Sequence, residues 1–185
     1  MKSLTILLAA TMTLFFGASS FATTVDLDAS KIVWTGRKKV GDDSHTGTIK
    51  LKSATIGKDG TTGTFVADMN TINVTDLKGK KKNDFEGHMK SDDFFKVAQK
   101  GNDTATLKIT SLKDGKAKGE FTMLGKTNPV TFDYTKKGNT YTGKLTLDRT
   151  KWGLIYGSGT WYKELTLNRV IEDNFDLEFT IVTKN

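Results

Sequence analysis

Cysteine is absent from this 185-residue chain, and proline occurs once, at Pro129. Without thiols there can be no disulfide, no lipid-anchoring cysteine and no thiolate metal ligand, so the fold must be held by its core alone. Histidine is almost missing too, with only His45 and His88. A zinc site would have to bring both together from distant segments and complete itself with carboxylates. Each has a simpler place, His45 in a turn before Gly47 and His88 on a helix face. Arginine stands only at 37, 149 and 169, too sparse for the clustered guanidinium groups of a nucleic-acid surface.

Catalytic signatures are missing as well. Asp42-Asp43 and Asp92-Asp93 are adjacent acids without the opposed placement that acid–base chemistry needs, and a helix start accounts for Asp92 and Asp93. No nucleophile elbow, P-loop or dinucleotide fingerprint occurs. Gly157-Ser158-Gly159 has neither the flanking spacing nor a base. The residues therefore argue for a protein that is not an enzyme, with no catalytic residue, no metal and no built-in cofactor.

What is present begins with a leader. Lys2, the apolar run Leu4 to Phe16 and the small residues around Ser20-Phe21-Ala22 read as a secretory signal peptide, residues 1–22, cleaved after Ala22. No second long apolar run follows, so a transmembrane anchor is not expected. Of the 28 basic side chains only Lys2 lies in the leader, leaving 27 against 21 acidic ones in residues 23–185, a formal +6. A mature chain of 163 residues makes one domain large enough to stand without staples. The modest positive surplus suits anionic partners, such as phosphates or a membrane surface touched transiently.

Most of that domain alternates with period two. The runs Val25–Asp28 with Lys31–Lys38, Thr46–Ile56, Gly63–Val74, Thr104–Leu112, Lys116–Met123, Val130–Thr135, Thr140–Leu147 and Asn174–Thr183 each carry one apolar and one polar face. Lys58-Asp59-Gly60, Lys113-Asp114-Gly115 and Lys137-Gly138-Asn139 are turns between them. The exception is Asn83–Ala98, which reads as one or two short helical turns. Asn83 and Ser91 are its candidate caps, with Glu86 three residues after Asn83. About eight strands joined mainly by hairpins make a sandwich or a closed barrel, all-β in either case. Strands of nine or ten residues would give a barrel about 30 Å long.

Alternation also nominates an interior. Trp34, Phe65, Met69, Leu107, Phe121 and Phe132 are candidate bore-lining residues, interspersed with small ones such as Ala67 and Ala105. That mixture permits a lengthwise cavity without requiring one. Phe94, Phe95, Trp152 and Tyr156, with Trp161-Tyr162, are ordinary core candidates singly. Gathered at one end of a barrel, the first four would form an aromatic opening for a hydrophobic ligand. The basic run at Lys80, Lys81 and Lys82 reads first as a solvated loop and second, with Arg149, as a rim for a phosphorylated head group.

Several of these stretches together carry a resemblance. Val25-Asp26 with Ser30-Lys31-Ile32-Val33-Trp34 open it, and His45-Thr46-Gly47-Thr48 follows. Gly87-His88-Met89-Lys90-Ser91-Asp92-Asp93-Phe94-Phe95-Lys96-Val97 is its clearest part. It continues in Gly119 to Gly125 with Pro129-Val130-Thr131-Phe132, and in Leu147-Asp148-Arg149-Thr150-Lys151-Trp152-Gly153 with Tyr156-Gly157-Ser158-Gly159. In order and spacing the chain resembles the YceI-like family of exported, lipocalin-like polyisoprenoid-binding proteins. The resemblance implies an extended eight-stranded antiparallel barrel with a helix, a periplasmic location, and a long isoprenoid or quinone-like lipid in an apolar bore. Where the family usually has Tyr-Pro after the Phe-Phe motif, this chain has Lys100-Gly101-Asn102-Asp103, which predicts a looser helix-to-strand corner. The alternative reading is a filled, ligand-free barrel that serves as a protein-interaction module. Neither reading specifies an oligomeric state.

Overall fold

Period-two alternation becomes eight antiparallel strands in a computed structural model that describes residues 23–41 and 43–184. The expected signal peptide lies outside the described residues. The strands are β1 (Thr24–Arg37), β2 (Ser44–Ile56), β3 (Gly63–Val74), β4 (Thr104–Lys113), β5 (Lys116–Met123), β6 (Lys126–Lys137), β7 (Thr140–Asp148) and β8 (Asn174–Lys184), with one helix, α1 (Gly79–Lys90), between β3 and β4. Each strand pairs with its sequence neighbour, and β8 closes back on β1. Closure leaves no wholly unpaired edge strand, although the first half of β6 and the second half of β7 do not pair with each other.

Local chemistry explains the register. The polar interruption between the two halves of β1 is a bulge, where pairing with β8 shifts between Asp26 and Lys31. Ser30 anchors it, donating to the Asp26 carbonyl at 2.6 Å and accepting from the Val182 amide at 3.0 Å. Asp114 and Gly115, at φ +52° and +74°, make the mirror-image two-residue turn that suits the twist of β4 and β5. Pro129 sits within β6, opposite Glu120. It is tolerated because this half of β6 pairs with β5 alone; the β6–β7 ladder covers only Tyr134–Lys137 against Thr140–Gly143. Where β6 and β7 part, a 3₁₀ turn at Arg149–Trp152 packs on β6.

The helical expectation needs correcting. Among the described residues the one α-helix, α1, spans Gly79–Lys90 and not Asn83–Ala98. Lysine is a good helix former, so Lys80–Lys82 extend the helix upstream instead of lying in a loop. Gly79, at φ +56°, lets the chain turn into it. Asn83 is thus interior, and Glu86 does not close a capping box. It accepts a hydrogen bond from the buried Val74 amide at 2.7 Å, tying helix to sheet. Ser91 caps only a turn: its hydroxyl accepts from the Asp93 amide and donates to the His88 carbonyl. The residues after it fold into successive turns up to Gly101. The corner into β4 is tied down despite lacking Tyr-Pro, since the Asp103 carbonyl accepts from the Met69 amide at 2.9 Å.

The two barrel ends differ. The hairpin end carries only short connections, at 57–62, 114–115 and 138–139, together with the described chain termini. The helix end carries the 38–43 loop, α1 with the turns after it, and the long 149–173 segment.

Candidate functional site

Inward-facing positions of all eight strands line one cavity of about 290 Å³, and its wall is almost wholly apolar. It runs the length of the barrel, from Gly60 and Thr62 at the hairpin end to Arg37, Lys38, Asp43 and His45 at the helix end. Phe65, Leu107, Leu177 and Phe179 point inward yet are only partly buried. Each packs against the core on one side and faces the void on the other. The interior accordingly packs as two clusters, a large one toward the helix end and a small one built on Val25, Leu51, Ile56 and Ile181, with Phe65 and Phe179 touching both. All three methionines of the described residues, Met69, Met89 and Met123, line the bore.

Eight of the ten proposed ligand-contact residues line this cavity: Trp34, Phe65, Met69, Phe94, Phe95, Leu107, Phe121 and Phe132. Trp34 lies across from Gly47, where an added Cβ would sit 2.6 Å from the indole. Glycine there leaves room for the ring. The Trp34 indole N–H is buried without a hydrogen-bond partner among the described residues.

The other two, Trp152 and Tyr156, do not line the cavity. Trp152 is buried outside the cavity wall, donating its indole N–H to the Phe121 carbonyl at 3.0 Å and packing edge-on against the Phe121 ring. It is core that supports a bore residue. Tyr156 is 42% exposed and belongs to the outer rim, where its ring lies 4.7 Å from His88 and 6.2 Å from Phe94. Those three rings join α1, the turn after it and the 149–173 segment across the mouth. His45 lies in β2, not in a turn, with Phe85 over its ring and Asp76 on its Nδ1 at 2.9 Å.

The head-group assignment fails for Arg149. Only 2% exposed, its guanidinium donates to the carbonyls of Leu154, Tyr156, Ile171 and Glu172 at 2.8 to 3.2 Å. Burial pulls its pKa down, opposed by the charges of Asp173 and Asp148. Arg149 is the staple that shapes the mouth segment: four of its five N–H donors are spent on these carbonyls, and Asp173 lies 3.7 Å from the nitrogen that bears the fifth. Lys80 and Lys82 pair with Asp84 and Glu86 along the helix, and none of Lys80, Lys81 and Lys82 lines the bore. They are surface residues of the first helical turns.

Sequence periodicity missed part of the wall. Leu154 and Ile171 reach the bore from irregular chain that Arg149 folds over the mouth, and no repeat in the sequence marks such positions. Met89 and Phe85 face inward from α1, a face legible once the helix is placed. Among the described residues no three His, Asp or Glu side chains converge as metal ligands. No helix among them is long and apolar enough to cross a membrane.

A closed up-and-down barrel of eight strands, threaded by an apolar bore and capped at one end, is the class this geometry defines. The sequence profile of the YceI-like domain matches residues 24–183, and the chain belongs to that family of binding barrels. Among solved structures, the crystal structure of Burkholderia cenocepacia BcnA shares the fold at a TM-score of 0.59 and 20% identity, covering 86% of this chain and 99% of that one. The Campylobacter jejuni YCEI protein superposes with a TM-score of 0.48 at 11% identity, over 100% of this chain and 99% of its own. No curated protein matches the chain.

Proposed function

We propose that the protein is an exported, periplasmic carrier that holds a long isoprenoid or quinone-like amphiphile, its tail in the bore and its head at the helix end. The observation that carries this reading is the apolar cavity running between the two ends. Burial of the tail supplies the affinity, about 25 cal/mol for each Å² removed from water. At about 290 Å³ the cavity is at the lower edge of the roughly 300–1,000 Å³ usual for small-molecule pockets, so a chain of several isoprene units must widen it. Met69, Met89 and Met123 are suited to that, because unbranched thioether side chains repack readily. The leader-like residues 1–22 support export, and the lack of catalytic constellations supports holding over chemistry.

The bore lining at the helix end favours a neutral head group. Among the described residues, each lining cation there is already engaged: Arg37 with Asp176, Lys38 with Asp43, and Arg149 with carbonyls. Within the bore a pyrophosphate would have to compete for one of these engaged cations, whereas a quinone ring or an alcohol would not. The test is mass spectrometry of what organic solvent extracts from protein purified from its own periplasm, against a delipidated control offered matched prenyl alcohol, quinone and prenyl pyrophosphate. A stoichiometric neutral isoprenoid, bound at least as well as the pyrophosphate, is expected. A protein that is empty and stays empty would replace the carrier with an interaction module.

A further inference from the structure

The strongly exposed large apolar side chains among the described residues are Val40, Tyr156, Trp161, Tyr162 and Leu167. None lies on the barrel wall or at the hairpin end. Val40 belongs to the 38–43 loop and the rest to the 149–173 segment. These two pieces of chain are fastened together at the mouth, where the Lys39 amide donates to the Val170 carbonyl at 2.8 Å and Lys38 bridges Ile171. Tyr156 completes the group against His88 of α1. Trp161 and Leu167, at 59% and 66% exposure, are the outermost of the set. An apolar patch gathered at one place on an otherwise polar surface marks an interaction site.

The composition of the patch points to one kind of partner. Tryptophan and tyrosine have an apolar body and a polar tip, the combination that sits at head-group depth in a bilayer. Exposed Lys39, Lys151, Lys163 and Arg169 lie in the same two loops, against two exposed acids among the described residues, Glu164 and Asp43, of which Asp43 is paired with Lys38. Anionic lipid attracts such a set. The patch is also continuous with the bore, since Lys38, Leu154 and Ile171 of the same loops line it. We infer that the helix end is a docking surface for an anionic phospholipid bilayer, seating the mouth on the membrane so that an isoprenoid chain passes between bilayer and bore without crossing water. The inference deepens the carrier reading and rests on it.

The chain carries its own reporter. Of its three tryptophans, Trp34 and Trp152 are buried and Trp161 is exposed. Exported, purified protein is mixed with isoprenoid-free vesicles of phosphatidylglycerol and phosphatidylethanolamine, and with phosphatidylcholine vesicles. Flotation with the anionic vesicles, a blue shift of tryptophan emission and quenching by brominated acyl chains are expected. Trp161→Ser with Leu167→Ser should weaken the association about tenfold or more, through the lost apolar burial, while cargo loaded from detergent is retained. Protein that neither floats nor changes emission at low salt would overturn the docking surface, whatever the bore contains. So would a dimer in solution that the same double variant splits, because the patch would then be covered by a second copy. Vesicle binding by a protein whose bore proves empty would support the docking surface and sink only the carrier reading.

Discussion

The guanidinium of Arg149 and the carboxylate of Asp176 show how single charged side chains set the geometry of this barrel. Arg149 holds four carbonyls of the mouth segment, and the planar fork is what reaches them all. Arg149→Lys keeps the charge and loses the fork. It should destabilise the protein by about 3 kcal/mol in urea melts and raise amide exchange over residues 154–172. In the sequence Arg149 reads as an available cation, because nothing in a one-dimensional chain shows that Glu172, 23 residues on, folds back onto it. Asp176 is 7% exposed and lies under Arg37, Lys144 and Thr146, at 2.9, 3.0 and 2.7 Å. Burial pushes its carboxyl up, but hydrogen bonds from Thr146, Lys144 and Arg37 and the Lys144 charge together carry it below its ordinary value. A carboxyl depressed by folding contributes fully above its unfolded pKa, about 3.9, and the contribution fades as pH falls through the lower folded value. Asp176→Asn should therefore cost about 1–3 kcal/mol at pH 7 and progressively less below pH 4, read by urea melts across pH.

At the scale of elements, the strands were legible and the helix only in part. Strand positions follow from alternation, which depends on nothing but the pleat. Phe121 and Met123 in β5, or Phe175 to Ile181 in β8, face the bore as their spacing says. Helix α1 was displaced by four residues at its start because propensity and capping compete over so short a stretch, and tertiary contact decided the outcome. Glu86 is the contact: its carboxylate takes the Val74 amide and holds Lys82 at 3.6 Å. Glu86→Ala would leave the N–H of a fully buried residue unpaired and should cost about 1–3 kcal/mol in thermal or urea melts. If Glu86 merely decorated the helix surface, the melt would shift no more than for an exposed substitution.

For the molecule as a whole, closure of the sheet creates the enclosed bore and leaves no wholly unpaired edge strand, with a seam of unpaired backbone between β6 and β7. An interior divided between two packed clusters leaves a barrel short of contacts, which the proposed cargo's tail would supply. Cargo saturated about 100-fold over its Kd should add about 2.7 kcal/mol and raise the melting midpoint of delipidated protein. Replacing Met69, Met89 and Met123 together by leucine conserves volume but removes adaptability. That variant should keep most of its stability while losing affinity for long isoprenoids before short ones, as measured with a chain-length series.

The chain by itself determined that eight amphipathic strands must form, that no disulfide could hold them, and which residues of each strand turn inward. Those properties are local, since period two and turn chemistry need no knowledge of distant chain. Only the tertiary structure decided what the ends of the barrel are. The register between β6 and β7 left a seam for Trp152, and the buried Arg149 drew the 149–173 segment over the mouth. That fold-back placed Tyr156, Trp161 and Leu167 outward at the helix end. Such positions follow from contacts between residues far apart in the chain, where no periodicity reaches.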